Sequence, residues 1–329
     1  MKPYLLLTSL LIIILQACQA PPLPMQNIKG KTMGTTYSIN YYDSLQRDVK
    51  PQIDSLLVAF NQSVSTYIPT STISKFNQAD SLITGDRHLM DVWFIAQTVA
   101  DATGGAFDPT IMPLVNFYGF GYKKRNEIDT TKLDSIRQYI GYRKVNAVEN
   151  YLIKAHPKTE LDLSAVAKGY GVDLVAGYLS QQGIKSYFVE IGGEIRTKGK
   201  KANDSSWVVG VEKPNEDASN RSLQTRIPLN NMSMATSGNY RNFYEVDGKK
   251  MVHTINPKTA KPEQNNLLSA TVLHQSCAMA DAYATAFMVM GFEKSKYFLE
   301  QNPAQKLQAY FIYLDENNQT QVWDGLIKQ

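Results

Sequence analysis

The sequence predicts an α+β fold, mainly antiparallel sheets packed with helices, in one large domain or two small ones. Two observations predict it. Short apolar runs stand back to back across turn residues: Lys185 to Ile191, then Gly192-Gly193, then Glu194 to Thr197. Tyr240 to Val246 and Lys250 to Ile255 do the same around Asp247-Gly248, a strong hairpin signal. Between such pairs lie segments whose apolar residues recur three and four apart, which is helical spacing. Hairpins intermingled with helices favour α+β over an alternating parallel design. The 329 residues are 43% hydrophobic and 19% charged, ample for a sizeable core.

The first residues read as a targeting segment. Lys2 is the only charge before Cys18, and Leu5 to Leu15 form an apolar run too short for a comfortable membrane span. Leu15-Gln16-Ala17-Cys18 resembles a bacterial lipobox, in which the cysteine is lipidated and becomes the first mature residue. The expected organisation is a lipoprotein signal peptide over 1–17, a lipid-anchored linker over 18–27 and a folded domain over 28–329. Pro21, Pro22 and Pro24 suit an extended spacer. The expected location is the periplasmic side of the cytoplasmic membrane, held by lipid on Cys18. An ordinary secretory signal with an incidental cysteine is the alternative. The net charge of +4 is weak and dispersed, with no lysine and arginine run, so no nucleic-acid site is read. With Cys18 lipidated, Cys277 is alone, no internal disulfide forms, and its Ala-rich surroundings make it a small core residue.

Taken in order, Thr32-Met33-Gly34-Thr35 reads as a turn entering a strand through Ile39. Asp48 to Ser63 carries Ile53, Leu56, Leu57 and Phe60 at helical spacing. Ser65-Thr66-Tyr67 and Ser71 to Asn77 read as polar loop. A second helix, Leu89 to Ala102, turns Val92, Ile95, Ala96 and Val99 inward and stops at Thr103-Gly104-Gly105-Ala106-Phe107-Asp108-Pro109. Asp129 or Thr130 can cap a short helix with Leu133, Ile136 and Ile140, closed by Gly141. Leu161-Asp162 ends a short strand, Ser164 stands as N-cap, and a helix runs through Leu174, Val175, Tyr178 and Leu179 to Gly183. Trp207 to Val211 is a strand and Asn215 to Arg221 a loop. Leu268 to His274 is a strand, Ala278 to Met290 a helix ended by Gly291, and Phe292 to Glu300 a further short helix. Leu307 to Leu314 and Thr320 to Trp323 close the chain as strands.

Two stretches carry chemistry. Gly169 and Gly171 fall in the first turns of the helix after Ser164. Glycine inside a helix costs about 1 kcal/mol against alanine, so something lies close against this backbone. One reading is a helix N-terminus that holds a phosphate-bearing ligand. The other is a buried helix with small residues for close packing. Asp281 and Thr285 are four apart and share a helix face among small residues. Carboxylate and hydroxyl oxygens suit a hard cation such as Mg²⁺. Capping by Asp281 and back-bonding by Thr285 is the plainer alternative. The four histidines, His88, His156, His253 and His274, are scattered with no zinc spacing, and neither a P-loop nor a serine-hydrolase elbow is present.

Seven motifs follow one another: Met33-Gly34-Thr35; Thr103 to Pro109; Asp162-Leu163-Ser164 with Lys168-Gly169-Tyr170; Ile191-Gly192-Gly193-Glu194; Ala235 to Tyr240; His253 to Pro257; and Ala280-Asp281-Ala282 through Thr285. In that order, from about Met33 to Gly291, they resemble the FAD:protein FMN transferases, the ApbE family of bacterial lipoproteins. The resemblance implies an ApbE-like catalytic domain and a Mg²⁺-dependent enzyme that splits FAD and joins FMN, through its phosphate, to a threonine hydroxyl of a target protein, releasing AMP. The implied acceptors are flavoprotein subunits of membrane redox pumps. The implied FAD site comprises Met33, Tyr67, Ala106, Phe107, Asp108, Asp162, Lys168 and His253. The implied metal ligands are Asp281, Ala284 and Thr285, with the backbone carbonyl of Ala165. The acceptor hydroxyl needs a base or close positioning, and His253 and Asp162 stand as alternatives. The segment from Thr236 to Arg241 is expected to dock the acceptor. Two positions depart from the pattern: the family often carries aspartate where Asn256 stands, and some members carry glutamate at Lys168. A hydrolase using water as acceptor, and a flavin-binding carrier, are the competing readings.

Overall fold

The computed structural model describes residues 23–83, 85–122, 129–214, 222–239, 243–246 and 249–326. The expected signal peptide, Cys18, the Asn215 to Arg221 loop and the Asp247-Gly248 turn lie outside the described residues. In chain order the elements are β1 (Gln26–Thr32), β2 (Thr35–Tyr42), α1 (Lys50–Val64), α2 (Thr72–Gln78), β3 (Ser81–Ile83), α3 (Arg87–Ala102), α4 (Met112–Phe117), α5 (Leu133–Arg137), β4 (Val145–Val148), β5 (Tyr151–Lys154) and α6 (Ser164–Gln181). There follow β6 (Ser186–Ile191), β7 (Glu194–Lys198), β8 (Trp207–Glu212), β9 (Leu223–Leu229), β10 (Ser233–Gly238), β11 (Phe243–Val246), β12 (Lys249–Val252), β13 (Ile255–Asn256), β14 (Lys261–Pro262), β15 (Leu267–His274), α7 (Cys277–Met290), α8 (Phe292–Gln301), β16 (Gln308–Leu314) and β17 (Thr320–Asp324).

Eight strands form one sheet in the order β1-β2-β6-β7-β10-β15-β16-β17. Every neighbouring pair in it is antiparallel. The α+β expectation therefore holds. Helices α6 and α7 lie side by side on this sheet, α6 over β6 and β7, α7 over β10 and β15. Small residues let them approach. A Cβ on Gly169 would stand 2.4 Å from the Cys277 carbonyl oxygen, and one on Gly171 would stand 2.5 Å from Met33 Cε. Close packing, the second of the two readings, thus accounts for both glycines. Val166, Val172, Val175 and Leu179 of α6, and Cys277, Tyr283, Phe287 and Met288 of α7, are buried in the joined cores. Cys277 is a core residue, its Sγ 3.5 Å from the Ile195 carbonyl.

Three local readings need correction. Ser71 to Asn77 is a helix rather than a loop. Ser71 caps it, its side chain accepting from Ser74 N at 3.1 Å, and Ile73 and Phe76, three apart, are fully buried beneath a polar exterior. Leu161-Asp162 joins no ladder; only Glu160 forms an isolated parallel bridge, with Ile111, while Asp162 N donates to the Pro109 carbonyl. Ser164 is the first residue of α6 and does not cap it. The domain also starts slightly earlier than expected, because β1 opens at Gln26. Among the described residues no helix is long and apolar enough to cross a membrane.

Candidate active site

A cleft of about 790 Å³ opens beside the N-terminal turns of α6 and the middle of α7. That size lies within the range of ordinary ligand pockets. Asp162, Ser164, Ala165 and Lys168 enter it from the start of α6, Asp281 and Thr285 from α7, and Gly192 and Glu194 from the β6–β7 turn. Thr236, Ser237 and Gly238 come from the end of β10, and His253, Thr254 and Pro257 from the segment around β13. Ile111, Met112, Val115 and Phe120 supply an apolar wall, and Tyr67 stands at the rim, 67% exposed.

The charged floor is built by three side chains. Lys168 Nζ lies 2.6 Å from Glu194 Oε1 and 3.9 Å from Asp281 Oδ1. Asp281 Oδ2 accepts from Gly169 N at 3.0 Å, a bond available only because Gly169 lets α6 and α7 touch. Burial pushes the Asp281 carboxyl up to about 7, against the pull of Lys168. Burial likewise raises Glu194. It works against the Lys168 ammonium, but the Asp281 and Glu194 carboxylates outweigh it and hold the lysine above its ordinary value. Thr285 Oγ1 lies 3.3 Å from Ser237 Oγ. Capping is therefore not what Asp281 does: α7 is capped by Ser276, whose side chain accepts from Met279 N.

Asp162 lines the cleft and also anchors the start of α6. Its Oδ1 accepts from Ser164 N at 2.9 Å and from Ser164 Oγ at 2.6 Å, so the aspartate, not the serine, satisfies the first turn. Burial raises its carboxyl above the usual range. Asp108 is 7% exposed and both its oxygens are taken, by Thr110 N and Oγ1 and by Tyr142 N. It fixes the wall that Ala106 and Phe107 share. His253 meets Phe120 edge-on with ring centroids 6.5 Å apart. Neighbouring Thr254 donates to Asn239 Oδ1 at 2.6 Å, which ties this segment to the end of β10. Asn256 serves its turn, accepting from Lys258 N and Thr259 N and donating to Glu263.

Two of the implied residues stand outside the lining of the cleft. Met33, with φ +48°, sits in the β1–β2 turn and packs on Gly171. The Ala284 side chain is fully buried in the core between helix and sheet. Conversely, Ser164, Glu194 and the apolar wall are in the cleft although the sequence reading gave them no role in the site. A glutamate directly after a Gly-Gly turn was the available signal for Glu194. Among the described residues no three histidine, cysteine, aspartate or glutamate side chains cluster as a metal site. What the cleft offers is a buried carboxylate and a hydroxyl one turn away. That oxygen set fits Mg²⁺, which keeps several waters and shares phosphate oxygens with a substrate.

A single α+β domain whose cleft gathers oxygen donors, a lysine and an apolar wall has the make-up of an enzyme. A model of the ApbE family matches residues 33–311, and the chain belongs to that family. The chain is 40% identical over 299 residues to the FAD:protein FMN transferase of Vibrio cholerae serotype O1, spanning 88% of this chain and 89% of the relative. It is 34% identical over 288 residues to the Escherichia coli K12 protein of the same name, spanning 82% of this chain and 79% of that one. The solved flavin transferase ApbE from Vibrio cholerae superposes with a TM-score of 0.83 at 35% identity, covering 92% of this chain and 98% of its own. The apo flavinyl transferase ApbE of Pseudomonas stutzeri gives 0.82 at 28% identity, covering 93% and 96%.

Proposed function

We propose that this protein transfers FMN from FAD to a threonine hydroxyl of an acceptor flavoprotein, with AMP as the other product. One observation carries the reading: in a chain of this family, Asp281 and Thr285 open side by side into a cleft that also holds Asp162, Lys168 and His253. Asp281, Thr285 and the Ala165 carbonyl would hold Mg²⁺, with Ala284 as the remaining residue of the implied set. The bound ion would neutralise charge on the phosphoryl oxygens as it develops.

FAD is a pyrophosphate diester. The threonine oxygen attacks the FMN-side phosphorus, the bond from that phosphorus to the bridging oxygen breaks, and AMP leaves with that oxygen. The acceptor's proton passes to a base, and His253 and Asp162 are the two residues on hand. Lys168 supplies positive charge beside the phosphates. The apolar wall from Ile111 to Phe120 gives the flavin ring a dry surface, with Tyr67 over the entrance and Ala106 to Asp108 behind. Water competes at very high concentration, so transfer wins only by aligning the acceptor, an advantage worth roughly 7–11 kcal/mol. The segment from Thr236 to Arg241, of which Tyr240 and Arg241 lie outside the described residues, is the surface for that docking.

The test is incubation with FAD, Mg²⁺ and a partner flavoprotein, followed by intact-mass analysis of the partner, in-gel flavin fluorescence and chromatography of the nucleotides. AMP with a partner bearing FMN as a phosphodiester is expected. Free FMN formed in step with AMP, beside an unmodified partner, would reassign the protein as an FAD hydrolase, and bound FAD without AMP as a carrier. The acceptors proposed are flavoprotein subunits of membrane redox pumps. Cys18 is proposed to carry the lipid that holds the domain on the periplasmic side of the membrane. Several acyl chains anchor stably where one does not. Cys18→Ser protein that still fractionates with membranes, with no lipid label lost, would remove the anchor.

A further inference from the structure

Glu194 opens β7, and its side chain is 3% exposed. Its Oε1 takes the Lys168 ammonium at 2.6 Å. Its Oε2 is buried and has no hydrogen-bond partner among the described residues. Asp281, equally buried at 3%, spends Oδ2 on Gly169 N and leaves Oδ1 3.9 Å from the same ammonium, beyond hydrogen-bond distance. All three side chains line the cleft. One ammonium thus stands between two carboxylates and bonds only one of them. The hydrogen bond goes to Glu194, and the carboxylate on α7 is left with only the longer ion pair.

We infer that Glu194 is a positioning residue that holds the Lys168 ammonium off Asp281, so that the Asp281 carboxylate stays open to a divalent cation. The inference rests on the cation reading under Proposed function. Lysine carries a compact charge on a flexible stem of four methylenes. Without a charged acceptor at Glu194, attraction draws that ammonium across the short remaining gap to Asp281. A lysine seated there covers an oxygen and cancels the charge that a hard cation requires. Held on Glu194, the same lysine instead faces the cleft beside the cation, where a pyrophosphate brings the balancing negative charge.

The experiment measures Mn²⁺ binding to the purified protein by electron paramagnetic resonance, without FAD or acceptor, with thermal unfolding of each variant as a check on folding. Glu194→Gln is expected to weaken Mn²⁺ binding at least tenfold. Adding Lys168→Met to it is expected to restore affinity to within threefold of the parent, because the competing ammonium is gone. Lys168→Met alone is expected to bind at least as tightly as the parent. Parental affinity in Glu194→Gln overturns the inference, and so does a double variant as weak as the single one, which is what a merely structural or directly ligating glutamate gives. If Glu194→Gln does not fold, Lys168→Met alone decides: weaker Mn²⁺ binding in it overturns the inference. A parent that binds no Mn²⁺ overturns it together with the cation reading, whereas unchanged variants in a parent that binds leave that reading standing.

Discussion

Two regions of the α6–α7 interface are built from the same materials and treat their carboxylate in opposite ways. At the capped end of α7, Asp173 of α6 has both oxygens fully engaged. Oδ1 accepts from Arg196 at 2.5 Å and Cys277 N at 3.0 Å, Oδ2 from Ser276 Oγ at 2.8 Å and Ala278 N at 3.1 Å. One turn further along α7, Asp281 accepts one backbone bond from Gly169 and stands short of its lysine. A buried charge is costly unless paired and hydrogen-bonded. Asp173 meets that condition and holds two helices together. Asp281 does not meet it, and burial raises its carboxyl accordingly. The carboxylate with the fewer hydrogen bonds is the one that lines the cleft. The difference locates the chemistry more sharply than the presence of an aspartate does.

The comparison breaks most visibly if Asp281 is neutralised in place. Asp281→Asn is expected to lower turnover about 10²–10³-fold, the scale of losing one electrostatic contact to developing charge. Its urea midpoint should equal or exceed the parent's, since a buried and poorly paired charge is gone. A large loss of stability in this variant would make Asp281 a structural residue. Asp173→Ala should do the reverse. It strands the Arg196 guanidinium and two helix-start N–H groups, and is expected to cost about 3 kcal/mol. Denaturation curves check this, with activity per folded molecule close to the parent's.

The same contrast explains what could be read from the chain. Helix α7 was legible because Ala278 to Met290 is an apolar helical run with a glycine stop, and Asp281 and Thr285 fall on one face by spacing alone. The Glu194–Lys168 contact was not legible, because the two residues meet only after β6 and β7 fold back on α6. Helix α2 was hidden by Ser71, Thr72 and Ser74, which mask the two buried apolar positions Ile73 and Phe76. Strand β10, Ser-Met-Ala-Thr-Ser-Gly, has no apolar alternation, and its place between β7 and β15 comes from its neighbours. Ser164 was read as an N-cap, yet it is the first residue of α6 and donates to Asp162, since both residue types sit at helix starts and sequence does not say which one accepts. Seven short motifs in register carried the family even though none of them alone fixed a fold.

Gly169→Ala tests whether contact between the helices sets the charged floor. The new methyl would meet the Cys277 carbonyl oxygen and carbon at 2.4 and 2.6 Å, both backbone atoms, so α6 and α7 must part. A cost of about 1–3 kcal/mol is expected, with turnover reduced as the Gly169–Asp281 bond stretches. Gly177→Ala is the control on the same helix. Nothing lies within 4 Å of its added carbon, and the variant should gain about 0.5–1 kcal/mol from helix propensity alone. If both variants behave alike, propensity rather than contact governs the interface.

The smallest expected effect comes from a third carboxylate, far from the cleft, which extends the satisfied side of the comparison. Asp43 accepts from Leu45 N, Arg47 N and the Arg47 guanidinium, and Arg47 in turn reaches the Gln182 carbonyl at the end of α6. The guanidinium beside it holds the Asp43 carboxyl down at about 2, against an ordinary value of 3.8. A carboxyl depressed by folding binds its proton less readily in the native state than in the unfolded one. Its contribution to stability is therefore complete above about pH 4 and is lost as pH falls towards 2. Arg47 is about a third exposed, so solvent screens the pair and the loss should be smaller than that caused by Gly169→Ala. Urea unfolding of the parent and of Asp43→Asn across that window isolates the term. The parent should lose stability with falling pH faster than the variant, and the two curves should run parallel above pH 5. Parallel curves throughout would mean that the Asp43–Arg47 pair, although satisfied on every side, adds nothing to folding, and that satisfaction alone does not mark a structural carboxylate.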